Sequence, residues 1–399
     1  MPRPRAPRST RASGATVLVA SDWAPIRVFE PIVRFDPESI YGDLLPVLRS
    51  ADLRIVNCEC AFTRASHPVW KSGAVFKGEP AHVHGLSAVG FDVACLANNH
   101  VLDYGVGGLR DTLRVLGGAG IRTVGAGLTE QAAYAPLSLT VNGIRIHIVN
   151  FSEGEDLTAA RGGAGVFGWD VARVQTIVRE CRKQGGVVIA IGHCGLEYVP
   201  FPPPYVVAAF RAAIDAGADC VIGHHPHVPQ GMERYRGQPI LYSLGNFVFY
   251  QPTDLLYRKT GFLVTLRVGR GGVTALDLHP YRITDEGLRA LHPNEDRHFR
   301  RMMVRLSRPF ATPSGHELAW DAYLAYYGVE GFVAEARGIL ERLETEPQKA
   351  AAMFRNRVTT MQHSQLWRDA LTRIVEGRRR PPSRAATEIV QHYFTALAG

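Results

Sequence analysis

The sequence predicts an α/β protein, because strand-like and helix-like stretches alternate from about residue 15 to about residue 268. Two hairpins interrupt the alternation: residues 135–151 turn through Asn142-Gly143, and residues 261–278 turn through residues 269–272. From residue 293 onward, helix formers are many and β-branched runs are few. Parallel units mixed with hairpins favour a mixed sheet or two packed sheets, followed by a helical C-terminal region.

Amphipathic patterns predict individual helices in both parts of the chain. In the α/β part they cover residues 107–116, 171–183 and 206–216. In the C-terminal part they cover residues 331–344, 346–357, 365–376, with Ser364 as the candidate N-cap, and 385–397. We therefore divide the chain into a basic tail of residues 1–13, an α/β domain of residues 14–288 and a helical region of residues 289–399.

Composition limits the classes of partner. The 399 residues suffice for a large core, and 46% hydrophobic with 21% charged residues is ordinary for a globular protein. The net charge of +8 comes from arginines spread along the chain, which favours a solvated surface and would help to attract an anionic substrate. The sequence has no zinc-finger spacing, basic helix or aromatic-basic RNA motif, so we expect no nucleic-acid partner.

Targeting signals are not evident in the sequence. Residues 1–13 are rich in Arg and Pro and contain no apolar core, which favours a disordered basic tail over a signal peptide. No segment is long and apolar enough to span a bilayer. The six cysteines lie mostly within apolar runs, as expected for buried free thiols in a reducing compartment. We therefore expect a cytoplasmic protein without a membrane span.

Metal-binding residue types follow most of the predicted strands. Open α/β sheets bind their ligands at the carboxyl ends of strands, so residues that follow several strands should meet at one edge. The residues at these strand ends are Asp22, Asn57, Glu59, Asn99, His100, His193, His224, His225, His227 and Asn246.

The alternation of side chains along a strand indicates which of these strand-end residues can share one metal site. In a strand, Asn57 and Glu59 point to one face while Cys58 and Cys60 point to the other, which disfavours a Cys-x-Cys site that includes Glu59. His225 and His227 are likewise two residues apart and would share a direction in an extended segment, with His224 turned away. A histidine pair with this spacing can ligate two adjacent ions or grip one.

Six residues remain as candidate metal ligands, more than a single structural zinc needs. Carboxylate, amide and imidazole groups in this mixture are typical of a dinuclear hydrolytic site, in which two ions share a carboxylate and a hydroxide. Asn99 has an alternative role as a turn residue, and Cys194 lacks an activating partner that would make it a nucleophile. The six candidates are Asp22, Glu59, Asn99, His193, His225 and His227.

His100 follows Asn99 directly and is the candidate proton or hydrogen-bond donor to a developing anion, with Asp103 as its orienting group. Four further residues next to the strand-end motifs are expected near the substrate. They are Asn57, Glu197, Tyr198 and Asn246.

Five ordered segments, spread over about half of the chain, resemble one family. The segments are residues 56–59 (VNCE), 96–105 (LANNHVLDYG), 193–198 (HCGLEY), 223–228 (GHHPHV) and 242–247 (YSLGNF). They resemble the CapA, or poly-γ-glutamate capsule synthesis, family within the calcineurin-like metallophosphoesterase superfamily. The resemblance implies a four-layer α/β/β/α sandwich over residues 14–288, with metals at its strand ends.

The resemblance also implies a ligand assignment. Asp22 matches the first-motif carboxylate, Glu59 the bridging position and His100 the proton-donating histidine. Asn99, His193 and His225 would complete one metal site, and His227 would join Asp22 at the other.

The chain departs from the family and superfamily pattern at three positions near these motifs. Ala24 stands where the superfamily often has a histidine, and Ser21 replaces the usual glycine before the first aspartate. Cys194 stands where the family commonly has tryptophan. These departures keep the candidate ligands and alter the residues around them.

Two functions are expected from these residues. The first is a metal-dependent hydrolase with two divalent ions (Mn, Fe or Zn), which cleaves a phosphoester or a γ-glutamyl-like amide through metal-bound hydroxide. Its substrate would be an anionic polymer, a peptide or a phosphorylated small molecule. The alternative is a non-catalytic, metal-containing component of a capsule or poly-γ-glutamate synthesis assembly, with a protein partner bound through the C-terminal helices.

Overall fold

The computed structural model describes residues 14–377 and 382–398, and the basic tail predicted for residues 1–13 lies outside the described residues. Two large sheets dominate the architecture, one of seven strands and one of six. In spatial order the first sheet contains β17 (Gly287–Ala290), β16 (Gly272–Thr284), β15 (Thr260–Gly269), β1 (Ala15–Trp23), β2 (Leu53–Cys58), β5 (Val93–Cys95) and β6 (Arg122–Val124).

The second sheet and two small sheets contain the remaining strands. In spatial order the second sheet contains β13 (Met232–Tyr235), β14 (Gln238–Leu241), β12 (Cys220–His224), β11 (Val187–His193), β9 (Ile144–Ser152) and β8 (Leu137–Val141). The two-stranded sheets pair β3 (Ala61–Phe62) with β4 (Lys77–Gly78), and β7 (Ala126–Gly127) with β10 (Gly165–Val166).

Twelve α-helices lie in the described residues. They are α1 (Phe29–Phe35), α2 (Leu45–Ser50), α3 (Val83–Ala88), α4 (Gly105–Gly118), α5 (Glu130–Tyr134), α6 (Val171–Lys183), α7 (Pro204–Asp215), α8 (Pro293–Ser307), α9 (Gly315–Thr345), α10 (Pro347–Thr359), α11 (Met361–Glu376) and α12 (Arg384–Thr395). Short 3₁₀ turns cover residues 39–44, 80–82, 155–157, 256–259 and 308–311.

Three hydrophobic clusters order these elements into four layers. The inner faces of the two sheets share one cluster, in which Val19 and Ile55 of the first sheet join Ile148 and Ile191 of the second. The outer face of the first sheet packs on α1 to α4, and the outer face of the second packs on α6 and α7. The order is therefore α/β/β/α, and the predicted fold class is confirmed.

The C-terminal helices close one side of this sandwich. Phe299 of α8, Trp320 of α9 and Ile389 of α12 belong to the same buried cluster as the inner faces of the sheets. The helical character of the region is confirmed, although α8 and the first half of α9 were not predicted. The helices share a core with the sheets, so packing does not mark a division between them. The domain boundary near residue 288 therefore stays a prediction.

One predicted hairpin turn and one predicted helix are present in the structure, and one predicted N-cap is not. The turn of the β8–β9 hairpin places Asn142 and Gly143 at φ 49° and 76°, the left-handed conformation that a tight hairpin turn requires. The predicted helix at 171–183 coincides with α6. The N-cap prediction for Ser364 is wrong, because α11 begins at Met361 and Thr360 occupies the N-cap position.

Parallel pairing brings the carboxyl ends of the central strands to one edge. β1, β2, β5 and β6 run parallel in the first sheet, as do β9, β11, β12 and β14 in the second. The register pairs His193 with His224, and it pairs Asp22 with Asn57 after a bulge at Ser21. Without that extra residue, alternation would place Asp22 on the helix-covered face with Leu18 and Ala20.

In the part of the chain that the structure describes, no helix has the length and apolar character needed to cross a bilayer. All six cysteines are buried, and none of them forms a disulfide. Burial raises the pKa of the Cys194 thiol well above its ordinary value, so the thiol stays protonated and is a poor nucleophile.

Candidate metal centre

The first sheet supplies two buried carboxylates. Asp22 lies at the end of β1, and its Oδ1 accepts a hydrogen bond of 2.8 Å from Asn57 Nδ2. Glu59 follows β2 directly, and its backbone N–H donates to the carbonyl oxygen of Trp23 at 2.9 Å. Both acidic side chains are fully buried, so each needs a positive partner or a proton.

The second sheet supplies three imidazoles. His193 ends β11, and its Nε2 lies 3.4 Å from Glu59 Oε1 and 3.1 Å from His225 Nδ1. His227 Nδ1 lies 3.3 Å from Asp22 Oδ2, while its Nε2 lies 3.7 Å from Glu59 Oε1. The two sheets thus contribute different chemistry, with acids from one and imidazoles from the other.

His225 and His227 reach the site by a turn rather than by an extended strand. β12 ends at His224, and the next residues place His225 at φ 96° and His227 at φ 56°. Non-glycine residues rarely adopt this left-handed conformation, which is strained and tends to occur at functional sites. His225 and His227 lie in one group of potential ligands, but the extended geometry predicted for this segment is wrong.

Two groups of side chains have the spacing that a metal ion needs. Glu59, His225 and His227 form one group, and Asp22, Glu59 and His193 form the other, with the potential ligand atoms of each group within 4.8 Å of one another. Glu59 belongs to both. A carboxylate that belongs to two ligand groups can bridge two adjacent ions.

Unpaired polar atoms at the centre of this cluster test whether it suits a cation. Within the two groups of potential ligands, four buried atoms have no hydrogen-bond partner among the described residues: Asp22 Oδ2, both oxygens of Glu59 and His225 Nε2. A buried carboxylate without a partner is costly, and these groups point toward one another. The residues present therefore fit divalent cations.

The electrostatics of the cluster lead to the same conclusion. Burial and the neighbouring Asp22 charge raise the pKa of Glu59 to about 8. Burial disfavours the cationic form of His227, but the charges of Glu59 and Asp22 outweigh it and raise its pKa to about 10. Without a metal ion, protons on Glu59 and His227 thus compensate the negative charge of the buried carboxylates. Burial lowers the pKa values of His193 and His225 to about 3, which keeps both imidazoles neutral and able to act as ligands.

Asn99 faces this cluster, and its neighbour Asn98 takes the turn role considered for it. Asn98 Oδ1 accepts from the backbone N–H groups of His100 and Val101 at 3.0 and 2.9 Å. Asn99 Oδ1 instead lies 3.0 Å from His193 Nε2. This division leaves the Asn99 amide oxygen available beside the imidazole.

His100 belongs to a buried network next to the cluster. Its Nδ1 lies 2.7 Å from Asp103 Oδ2, and Lys71 Nζ donates to Asp103 Oδ1 at 2.8 Å. Burial favours the neutral acid, but the His100 and Lys71 charges outweigh it and hold the pKa of Asp103 below its ordinary value. An ionised Asp103 keeps a proton on Nδ1 of His100 and leaves Nε2 as the nitrogen available to a substrate.

A cavity of about 330 Å³ opens beside the network and the candidate ligands. Glu197 and Tyr198 line it, together with Asn99, His100 and His227. Its basic lining residues include Arg27 and Arg258 as well as Lys71, and the Arg258 guanidinium lies 3.6 Å from the centre of the Tyr198 ring. Glu155, Asp156 and Glu197 line it as well, so the cavity presents both cationic and anionic groups next to the cluster.

Three residues at the strand ends lie behind the candidate ligands and do not line the cavity. Asn57 binds Asp22 and lies 3.2 Å from His193 Nδ1. Asn246 Oδ1 lies 2.8 Å from His227 Nδ1. His224 Nδ1 lies 3.1 Å from the Ser21 hydroxyl and belongs to neither candidate ligand group. These side chains can orient the ligands from behind.

Sequence reasoning missed two charged residues at the site. Glu155 lies three residues after the end of β9, so a strand-end rule extended by two residues would have found it. Lys71 lies in a loop and shows no periodic pattern, and its burial depends entirely on the fold.

The protein is an α/β/β/α sandwich of two mixed sheets between helices. Acidic and imidazole side chains are grouped at the carboxyl ends of its strands and form a candidate metal centre. The chain belongs to the family of bacterial capsule synthesis proteins PGA_cap, whose model matches residues 8–251. The resemblance seen in the sequence motifs is thereby confirmed at the level of the family.

Known relatives match at moderate identity. The PGA biosynthesis protein CapA of Bacillus subtilis (strain 168) is 32% identical over 251 residues, which cover 61% of this chain and 66% of the relative. The capsule biosynthesis protein CapA of Bacillus anthracis is 32% identical over 65% of this chain and 64% of its own length. This chain thus spans just under two thirds of these two relatives. A probable polyglutamine synthesis accessory protein of Mycobacterium tuberculosis is 32% identical over 68% of this chain and 77% of its own.

Among solved structures, a 5'-nucleotidase precursor from Thermus thermophilus superposes with a TM-score of 0.43 at 14% identity, covering 75% of this chain and 59% of that one. A hypothetical protein from the same organism gives a TM-score of 0.43 at 15% identity, covering 67% of this chain and 99% of that one.

Proposed function

We propose that this chain is a metal-dependent hydrolase with two divalent ions at the candidate metal centre. The observation that carries the proposal is Glu59, whose two buried oxygens lack hydrogen-bond partners among the described residues and which belongs to both groups of potential ligands. Asp22, Glu59 and His193 would hold one ion, a grouping that differs from the assignment implied by the resemblance, in which His193 shares an ion with His225 and Asp22 shares one with His227. His225 and His227 would hold the other with Glu59, and Asn99 would add an amide oxygen beside His193.

Divalent ions at such a site lower the pKa of a bound water and stabilise negative charge on reacting oxygens. The chain's own residues supply the rest. In its imidazolium form, which carries a proton on each ring nitrogen, His100 would donate from Nδ1 to Asp103 and from Nε2 to the leaving group or to a developing anion. Asn57 and Asn246 hold Asp22 and His227 from behind, which fixes the direction of those ligands.

The substrate in this proposal is anionic. Lys71 pairs with Asp103, while Arg27 and Arg258 line the cavity, where a carboxylate or phosphate would contact them. Capsule relatives named for PGA biosynthesis favour a γ-glutamyl polymer or peptide over a small phosphoester. Glu197 and Tyr198 also line the cavity and would contact the substrate there, with the Tyr198 ring beside the Arg258 guanidinium.

Metal analysis tests the proposal directly. Protein purified without chelator should contain close to two equivalents of divalent metal, and Mn, Fe and Zn are quantified together. His225→Ala should lose at least one equivalent, whereas His84→Ala, on the outer surface of α3, should keep both. Less than one equivalent in the wild type, with no further loss on His225→Ala, would reject the metal centre.

Paired assays identify which type of bond the protein cleaves. The metal-loaded protein is offered a phosphomonoester and a γ-glutamyl amide at equal concentration, and His100→Gln serves as the matched inactive variant. Release of glutamate that depends on His100 supports an amidase, and release of phosphate supports a phosphoesterase. A rate that is the same in the wild type and in His100→Gln excludes both activities from this site.

Exposed apolar side chains on the C-terminal helices favour a second candidate, a metal-containing component of a capsule synthesis assembly. Leu340 of α9, Phe354 of α10 and Val375 of α11 are 56%, 44% and 84% exposed. The mycobacterial relative is named an accessory protein. Co-purification of a capsule-synthesis partner that persists in His100→Gln but is lost in Phe354→Asp would favour this candidate.

A further inference from the structure

Glu155 connects the candidate metal centre to the C-terminal helices. It lies in the 3₁₀ turn after β9 and is 7% exposed. Its Oε2 accepts a hydrogen bond of 3.1 Å from Asn99 Nδ2 and lies 3.9 Å from His225 Nε2. This carboxylate oxygen therefore orients the Asn99 amide, whose own oxygen faces His193.

The other oxygen of Glu155 is held by helices that lie beyond the residues matched by the family model. Asn356 of α10 donates from Nδ2 to Glu155 Oε1 at 2.9 Å. His363 of α11 places Nε2 at 3.4 Å from the same oxygen. Asn356 is itself buried, with 1% of its surface exposed, so its amide has no alternative partner in water.

Asn356 also connects two loops that border the cavity. Its Nδ2 donates to the Ser72 hydroxyl at 2.7 Å, and its Oδ1 accepts from the backbone N–H of Asp156 at 3.4 Å. Asp156 in turn accepts from the backbone N–H and the hydroxyl of Ser72, both at 2.9 Å. One buried amide thus contacts the loop that carries Glu155 and the loop that carries Lys71.

A second residue of α10 strengthens the same connection. Lys349 donates from Nζ to the backbone carbonyl of Lys71 at 3.1 Å and to that of Gly73 at 2.5 Å. Lys71 Nζ donates to the backbone carbonyl of Asn99 and to Asp103 Oδ1, both at 2.8 Å. The helix therefore contacts the chain segments that orient both Asn99 and His100.

We infer that α10 is part of the candidate centre and that Asn356 is a positioning residue, which acts through Glu155 on Asn99 and through Ser72 on the Lys71 loop. The inference rests on the proposed metal centre and adds a contribution from the C-terminal region. Partners that orient metal ligands are worth about 10- to 100-fold in metal affinity when removed. Asn356 should therefore affect metal binding although it touches no candidate ligand.

Mn²⁺ titration of the chelator-stripped full chain tests the inference with Asn356→Asp. This variant keeps the side-chain shape but places a carboxylate against Glu155 Oε1, which repels it. We expect the Mn²⁺ affinity to fall at least about tenfold. In the metal-free protein, amide hydrogen exchange should rise in residues 71–73 and 153–157.

Two control variants separate positioning from general loss of stability. Arg355→Ala changes an exposed neighbour on α10, and it should bind Mn²⁺ like the wild type. Glu295→Gln weakens contacts with Arg282 and Arg289, in which α10 has no part. It should lower the thermal unfolding temperature while Mn²⁺ affinity stays within about twofold.

The outcomes distinguish this inference from the proposed function. Unchanged Mn²⁺ affinity and unchanged loop exchange in Asn356→Asp would overturn the inference and leave the metal centre standing. An equal loss of affinity in Glu295→Gln would also overturn it, because loss of stability would then explain the effect. A wild type that binds no Mn²⁺ would overturn the proposed function, and loop exchange in the metal-free variant would still decide whether Asn356 positions the loops.

Discussion

Replacing Glu59 by glutamine should stabilise the metal-free protein. The Glu59 carboxyl is fully buried, its oxygens have no hydrogen-bond partner in the described residues, and its pKa is raised from 4.5 to about 8. In the unfolded chain the same group ionises near its ordinary value. The folded state therefore loses stability as the pH rises from about 4.5 to about 8, and Glu59→Gln removes this loss.

The size of the effect follows from this pKa difference. Each pH unit between the two values corresponds to about 1.4 kcal/mol, so the wild type should lose about 3 kcal/mol at pH 7 relative to the variant. Below pH 4.5 the carboxyl is protonated in both states, and the pH-dependent difference between the two proteins should disappear. Urea unfolding of chelator-stripped protein between pH 4 and pH 8 measures it, with Glu341→Gln on the surface of α9 as the control.

Metal should reverse the order of stability. Mn²⁺ at about 100 times its dissociation constant stabilises a folded protein by about 2.7 kcal/mol per site. The wild type should gain this stabilisation, and Glu59→Gln should gain much less because a shared ligand has been removed. If metal-free Glu59→Gln is less stable than the wild type at pH 7, or if Mn²⁺ stabilises both proteins equally, the reasoning about Glu59 is refuted.

Three further predictions concern the neighbouring residues. Lys71→Met leaves the buried Asp103 carboxylate without its ammonium partner, and should cost about 3–5 kcal/mol in the free energy of unfolding at pH 7, measured in urea; a cost below about 1 kcal/mol would contradict the buried ion pair. His100→Gln should lower kcat about 10²- to 10⁴-fold with metal content unchanged, and an equal loss of metal would make His100 a ligand instead. Arg258→Ala should raise KM for an anionic substrate more than it lowers kcat, whereas KM for an uncharged analogue should stay the same.

The strand ends were predictable because one rule governs them. Parallel strands bring their carboxyl ends to a common edge, so the side chains that follow β1, β2, β11 and β12 could be grouped without knowledge of the packing. The alternation of side chains along a strand was enough to predict that Asn57 and Cys58 point to opposite faces of the sheet. The structure places Cys58 and Cys60 in the helix-covered cluster.

Other features depend on tertiary contacts that a single sequence does not encode locally. The turn after His224, with His225 and His227 in left-handed conformations, is imposed by the surrounding packing. Lys71 is buried because α10 and the loop of Asp103 surround it, and its local sequence shows no apolar pattern. The first half of α9 is rich in buried aromatic residues such as Trp320 and Tyr323, which obscure the amphipathic period. Helical geometry breaks at Gly328, near the point where the predicted helix began.

The division of the candidate ligands between two sheets has a mechanical consequence. One sheet carries Asp22, Glu59 and Asn99, and the other carries His193, His225 and His227. Ions bound among them would therefore cross-link the two halves of the sandwich. A small slip between the sheets would pull the acids away from the imidazoles while leaving each sheet intact. Metal affinity would then report on the alignment of the two sheets, and a cavity at the far end of the strands, such as that left by Ile146→Ala, would weaken ion binding well before the protein unfolds.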